Sequence, residues 1–264
     1  MKIETNIKNG PIVGILGWEK KSNDTLAQLE SIPGNIAHPD TFNFPVIYKE
    51  VPGACYQTVI VKPANHILEE MIKTAKSMEK EGVRAIMGNC GFNALFQQEL
   101  AEAVNVPLFT SSLLLVPLAY RFFGANQKIG IITADSPYLT KKHLRAVGIT
   151  DDIPICIGGL ERTDEFAKIR SDSNAALDLA KFKTQVLQVV EDLLRKHSPV
   201  GAIILECTDL PPFAAMIRRS TGLPVFDIVT LAHMVYEAIA GNRWPRLPYD
   251  ESVCHAGCKR EYNA

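Results

Sequence analysis

Short unbroken apolar runs alternate along this chain with segments whose apolar residues recur three and four apart. The run PIVGIL, Pro11 to Leu16, predicts a buried strand, and Phe44 to Val51 a second. From Pro63 to Glu81 the positions Ile67, Met71, Ala75 and Met78 fall on one helical face. Pro63 opens that helix and Gly82 follows its end, as helix termini prefer. Val83 to Met87 predicts a strand, 92–104 a helix and Val106 to Phe109 a short strand. The pattern then restarts with a strand at Lys128 to Thr133. A helix runs from the Ser136-Pro137 cap to Val147, with Gly148 as its stop. Strand Ile153 to Ile157 and a long amphipathic helix over 174–197 come next. Strand Val200 to Leu205, helix Pro211 to Ser220 and strand Pro224 to Phe226 complete the series. Strands alternating with helices predict parallel sheets covered on both faces.

The restart is a repeat. Displaced by 117 positions, 83–114 lies on 200–231 without a gap. Cys90 meets Cys207, Phe96 meets Phe213, Pro107 meets Pro224, Phe109 meets Phe226 and Leu114 meets Leu231. A displacement of 116 sets Gly14 of the first strand on Gly130. Apolar matches come cheaply, but a matched cysteine and proline at kept separation do not. The expected architecture is α/β: two pseudo-symmetric parallel-sheet domains, flavodoxin- or Rossmann-like, with the active site between them. Residues 1–116 with 226–264 are expected to form the first domain and 117–225 the second.

Composition adds exclusions. The chain has 264 residues, 47% hydrophobic and 22% charged, enough for two such domains. A formal net charge of -1, with Lys and Arg scattered, argues against nucleic acid or an anionic membrane as partner. The opening MKIETNIKNGP lacks the apolar stretch of a secretion signal. The apolar run Leu113 to Ala119 is broken by Pro117 and falls short of the roughly 20 residues of a membrane helix. A soluble cytoplasmic protein is expected. Six cysteines, at 55, 90, 156, 207, 254 and 258, are too dispersed for a disulfide scaffold.

Two of them stand out by place. Cys90 in GNCGFN and Cys207 in ECTDL end equivalent strands, just ahead of predicted helices, where parallel α/β proteins bind ligands. A helix N-terminus presents unpaired N–H groups and partial positive charge. At roughly 0.3–2 kcal/mol, that field predicts a thiol lowered to about 7–8. Two thiolates across one cavity repel, so one is expected to stay protonated. A base on one side of a carbon and an acid on the other can move a proton across it.

At these residues the chain resembles the aspartate/glutamate racemase superfamily. That group takes in cofactor-independent amino-acid racemases, hydantoin and allantoin racemases, maleate isomerases, arylmalonate decarboxylases and algal-type dimethylsulfoniopropionate lyases. ECTDL is similar to the second-cysteine motif of the group, usually Gly-Cys-Thr-Glu, and GNCGFN holds the first-cysteine position. The resemblance extends over nearly the whole chain. It implies that Cys90 and Cys207 are the catalytic acid–base pair. It implies that Asn89, Asn93, Thr208 and backbone N–H groups near Gly91 bind a substrate carboxylate, supported by Tyr138 of DSPY. It implies a homo-oligomer, dimer or tetramer. Two departures, Gly91-Phe92 after the first cysteine and Gly17-Trp18 after the first strand, point away from aspartate and glutamate as substrates. Pro33 to Ala54 is similar to a subgroup that includes the sulfoniopropionate lyases.

The expected reaction is proton abstraction alpha to a carboxylate of a small substrate, giving racemisation or isomerisation. Beta-elimination from a dimethylsulfoniopropionate-like substrate starts with the same step and is the alternative. A two-lobed small-carboxylate binding protein is the alternative of another class. Trp18, just past the first strand, is the candidate for the pocket wall ahead of Phe44 and Tyr48. Glu206 is expected to point away from the cavity by strand alternation, and Asp209 to cap the next helix. No glycine-rich nucleotide loop, phosphate loop or pyridoxal-binding lysine motif stands in the chain, so no cofactor is expected. Cys254, His255 and Cys258 are too loosely spaced for zinc and the six histidines are dispersed, so no metal is expected.

Overall fold

The structure, a computed structural model, describes residues 12–19, 24–124 and 126–240. Its first sheet comprises β1 (Val13–Gly17), β2 (Val46–Glu50), β3 (Ala85–Gly88) and β4 (Leu108–Phe109). The second comprises β5 (Lys128–Thr133), β6 (Ile155–Gly159), β7 (Val200–Leu205) and β8 (Val225–Phe226). Every pairing is parallel, and the strand orders β2-β1-β3-β4 and β6-β5-β7-β8 are the same. The registers agree as well. Ile86 faces Leu108 and Met87 faces Phe109; Ile203 faces Val225 and Ile204 faces Phe226. Those four positions are related by the same displacement of 117 seen in the sequence. β1, β3 and β7 are buried along their whole length, which is why they read as continuous apolar runs and not as alternation.

α2, at Asn65–Lys80, falls where its periodicity puts it; α7, at Leu179–His197, ends as expected but starts after 174–178, capped by Asp178, whose side chain accepts from the Lys181 N–H. Gly82, just past α2, takes a φ of +88°, a left-handed conformation open to glycine at little cost. Three other helices begin differently from expectation. A 3-10 turn, Gly91–Phe96, precedes α3 (Gln97–Glu102); another, Ser136–Tyr138, precedes α5 (Lys141–Ala146); a third, Pro211–Phe213, precedes α8 (Ala214–Thr221). The helix ends facing the strand-end cysteines are therefore tight turns.

Four helices are not predicted by the pattern: α1 (Asp24–Glu30), α4 (Leu115–Tyr120), α6 (Asp164–Ser171) and α9 (Ile228–Ala240). α9 follows the second sheet yet packs on β3 of the first, where Tyr236 stacks on Phe44 with ring centroids 4.0 Å apart. Its counterpart α4 (Leu115–Tyr120) follows the first sheet and packs on β5 and β7 of the second. The expected division at 116–117 thus falls inside α4. Among the described residues, no helix is long and apolar enough to cross a membrane. Pro11 and the Cys254, His255 and Cys258 group lie outside the described residues.

Candidate active site

The strand ends of the two sheets meet at a cleft with about 560 Å³ of space between its walls and mouth. It is narrow and takes a small molecule. Cys90 and Cys207 both line it, one from the segment after β3 and one from the segment after β7. The duplicated fold thus delivers its two matched cysteines to one cavity. Cys90 is buried and Cys207 half-buried.

Of the other residues expected at the site, Trp18, Asn89, Gly91 and Thr208 also line the cleft. Asn89 Nδ2 donates to Tyr48 Oη at 2.8 Å, while its Oδ1 has no partner among the described residues. Trp18 Nε1 is likewise buried without a partner. The Thr208 hydroxyl donates to the carbonyl oxygen of Asn89 and so ties the two cysteine-bearing segments together. Asn93 and Tyr138 are not on the wall. Asn93 is buried behind it, its side-chain nitrogen close to Gly88. Tyr138 sits half-buried in the 3-10 turn after β5. The tyrosine that does reach the cleft is Tyr56, whose hydroxyl donates to Asp135 Oδ2 at 2.7 Å. Arg170 holds the same oxygen at 3.1 Å.

Carboxyl groups are the part of the site that sequence reasoning missed. Glu206 does not point away: it is fully buried and lines the cleft. Strand alternation does not govern it because β7 ends at Leu205, and Glu206 already belongs to the turn. Its Oε2 accepts from Thr133 Oγ1 at 2.7 Å, and its Oε1 has no partner among the described residues. Asp209 does not cap the next helix, which carries no side-chain cap. Its Oδ1 accepts from Asn35 Nδ2 at 2.8 Å, and its Oδ2 accepts from Cys207 Sγ at 3.8 Å. Glu30 of α1 adds a third carboxyl to the wall. No lysine or arginine among the described residues lines the cleft. Apolar surface comes from Leu26 of α1, Ile60, and Phe166 and Ile169 of α6.

These neighbours reverse the expected thiol ionisation. Burial pushes both thiols well above the ordinary cysteine value, and the nearby carboxyls add to it, chiefly Glu206 at Cys90 and Asp209 at Cys207. Backbone N–H groups of Phe92 and Asn93 at Cys90, and of Asp209 at Cys207, oppose the rise without cancelling it. A 3-10 turn supplies a few N–H groups but not the field of a full helix, and desolvation wins. The carboxyls shift too. Burial raises Glu206 to about 7 and Asp209 to about 6, against the hydrogen bonds from Thr133 and Asn35. The resting site is thus two thiols flanked by two carboxyls that titrate near neutrality. Cys156, raised by burial to about 11, packs in the core of the second sheet. Among the described residues no cluster of three or more His, Cys, Asp or Glu side chains is arranged to hold a metal.

Comparison with known proteins bears on the family and the fold. A dimethylsulfoniopropionate lyase from Durusdinium sp. clade D is 30% identical over 217 residues, spanning 80% of this chain and 71% of that protein. Dimethylsulfoniopropionate lyase 3 of Emiliania huxleyi is 28% identical over 220 residues; the match takes in 79% of this chain and 56% of the lyase. Solved structures share the fold at low identity. Allantoin racemase from Pseudomonas fluorescens has a TM-score of 0.61 at 15% identity, over 86% of this chain and 89% of its own. Arylmalonate decarboxylase has a TM-score of 0.56 at 17% identity, over 88% and 94%. The sequence profile of the Asp/Glu/Hydantoin racemase family matches residues 49–234. Because that match runs from β2 of the first sheet into α9, across both cysteine-bearing segments, the chain belongs to the Asp/Glu/Hydantoin racemase family of enzymes.

Proposed function

We propose that the protein is a lyase that removes a proton alpha to the carboxylate of a small substrate and expels a cationic β-substituent, as in cleavage of dimethylsulfoniopropionate to acrylate and dimethyl sulfide. The observation that carries this reading is the composition of the cleft: two thiols from equivalent positions, with Glu206, Asp209 and Glu30 on the same wall. An acidic, largely desolvated wall favours a ligand bearing positive charge and disfavours one with two carboxylates. A sulfonium zwitterion satisfies that condition, and the similarity to two dimethylsulfoniopropionate lyases supports the same choice.

In this reading Cys207 is the base. Its proton passes to Asp209, the carboxylate already in contact with its sulfur, leaving a thiolate and a carboxylic acid. The incoming sulfonium stabilises that thiolate. The thiolate takes the α-proton, the released electron pair forms the carbon–carbon double bond, and the carbon–sulfur bond breaks with its pair leaving on neutral dimethyl sulfide. Asp209 returns its proton to solvent, so the cycle yields acrylate, dimethyl sulfide and one proton. Cys90, protonated on the opposite segment, donates its S–H toward the charge that develops on the substrate carboxylate. Asn89, which lines the cleft, holds the carboxylate end in this reading.

Racemisation is the second reading, favoured by the equivalence of the two thiol positions, which supplies a proton donor on the face opposite the base. One experiment separates the readings. Purified protein is incubated in deuterated water with dimethylsulfoniopropionate and with a panel of chiral amino acids and hydantoins. Acrylate and dimethyl sulfide should appear, and Cys207→Ser should abolish them. Exchange and inversion at a chiral alpha carbon, with no elimination, would transfer the assignment to racemase. Binding of a carboxylate with neither outcome would overturn both readings.

A further inference from the structure

We infer that Glu206 is a positioning residue for the proposed reaction, acting through Cys90 to hold that thiol in its acid form. The inference rests on the reading that Cys90 works in this cleft. Glu206 belongs to the second half of the molecule, yet its carboxyl lies against the first half. A side chain at Gly91 would place its Cβ 2.2 Å from Glu206 Oε1 and 2.3 Å from the Glu206 carbonyl oxygen. Gly91 is the residue next to Cys90, so the absence of a Cβ there is what lets the carboxyl approach the thiol segment. The carboxyl is anchored on one side only. Thr133 holds Oε2 at 2.7 Å, while Oε1, buried and facing Gly91, has no partner among the described residues.

Leaving half of a buried carboxyl unpaired costs stability. A structural role would be met more cheaply by a residue that bonds at both oxygens or by an apolar one. The location gives the group a use. Each thiol has its own acidic neighbour, Asp209 at Cys207 and Glu206 at Cys90, but the two arrangements differ. Asp209 accepts a hydrogen bond from Cys207 Sγ and can take its proton. Glu206 makes no such bond with Cys90, so its influence on that thiol is electrostatic. The groups facing Glu206 are Thr133 and the Ala134 N–H from the end of β5, Cys90 and Gly91 from the segment after β3, and Cys207 and Asp209 on its own turn. Cys90, Cys207 and Asp209 among these ionise. Glu206 is the leading charge at Cys90 and Asp209 the leading charge at Cys207, so negative charge at Glu206 opposes a thiolate at Cys90 and gives the two sulfurs different partners.

The test reads Cys90 itself, not turnover. Iodoacetamide alkylation of the Cys90 peptide is followed by mass spectrometry as a function of pH in the wild type, Glu206→Gln and Thr133→Val. Removing the carboxylate charge should lower the pH at which Cys90 reacts by about one unit, so that alkylation at pH 9, where Glu206 is ionised, quickens roughly tenfold. Thr133→Val withdraws the hydrogen bond that favours the charged carboxyl, keeps it neutral to higher pH, and should quicken alkylation at pH 7 by a smaller factor. Glu206→Asp, which restores the charge, should return the midpoint toward the wild-type value. Should Glu206→Gln fail to fold, the Thr133→Val comparison decides. A wild-type alkylation rate of Cys90 at pH 9 in Glu206→Gln, or at pH 7 in Thr133→Val where that variant decides, would overturn the inference. Full turnover in Cys90→Ala would instead remove the role of Cys90 in the reaction while leaving the measured coupling intact, so the two failures are distinguishable.

Discussion

Replacing Asp209 with asparagine keeps an oxygen that can accept from Asn35 Nδ2 but removes the negative charge beside Cys207 Sγ. Loss of a group that receives a proton in the activating step commonly costs 10²–10⁴-fold. Asp209→Asn should therefore lower kcat by roughly two orders of magnitude with a smaller change in KM, measured by steady-state acrylate release. Glu206 yields a prediction for stability. Its carboxyl ionises at about 7 in the folded chain against an ordinary 4.5, so the folded state binds the proton more tightly than the unfolded one. Stability then falls as pH rises from about 4.5 to 7, and the penalty is complete above that window. Glu206→Gln should raise the stability of the protein at pH 8 by on the order of 3 kcal/mol, and the gain should vanish near pH 4. Thermal unfolding at the two pH values checks it. Neither carboxyl was legible from residue type alone. Glu206 reads as continuing the alternation of the strand before it and Asp209 as a helix cap. Only the turn that follows β7 and the 3-10 turn at Pro211–Phe213 bring both to the cleft.

Among elements, the loop from Ile32 to Thr41 carries a consequence larger than its length. Asn35 is fully buried there, its Oδ1 accepting from the Ala37 N–H at 2.9 Å and its backbone oxygen accepting from Thr41. Gly34 of the same loop, at φ +99°, lies against Pro212 just past Asp209. The loop thus fixes the rotamer of a carboxyl that belongs to the other half. Asn35→Ala should cost roughly 1–2 kcal/mol in unfolding free energy and should slow turnover about tenfold, with the alkylation rate of Cys207 altered alongside. Urea unfolding and the labelling rate measure the two effects. The strands and long helices were legible because each buries a continuous run or a full helical stripe. α1 and α6 were not. In DTLAQLE only Thr25 and Leu29 are buried, and half of DEFAKIRS is charged, so neither shows a sustained apolar face. Yet these two helices supply Leu26, Glu30, Phe166 and Ile169, a substantial part of the cleft wall. Expectations drawn from strand ends alone found the sulfurs and missed the walls that set which ligand fits.

For the molecule as a whole, the repeat was the most informative feature of the sequence. It predicted two like sheets before any contact was known, and the paired registers reproduce the displacement of 117 residue for residue. The way in which the halves are joined was not legible, since periodicity says nothing about which sheet a helix covers. Thr25 of α1 donates to the backbone oxygens of Asp172 and Ala175 at 2.7 and 3.0 Å, Gln28 donates to Ala175 at 2.8 Å, and Ser112 donates to Leu205 at 2.7 Å. These bonds all run from one half to the other. Cutting the chain at 125 should therefore give fragments that precipitate when produced singly and recover activity when co-produced; soluble, folded single fragments would contradict that outcome.

α4 and α9, equivalent helices of the repeat, have each crossed to the opposite sheet. Each sheet is therefore roofed in part by a helix that the other half carries, and neither half holds the whole of its own cover. The two sides are nonetheless not copies at the cleft: the equivalent residues 89 and 206 are asparagine on one side and glutamate on the other.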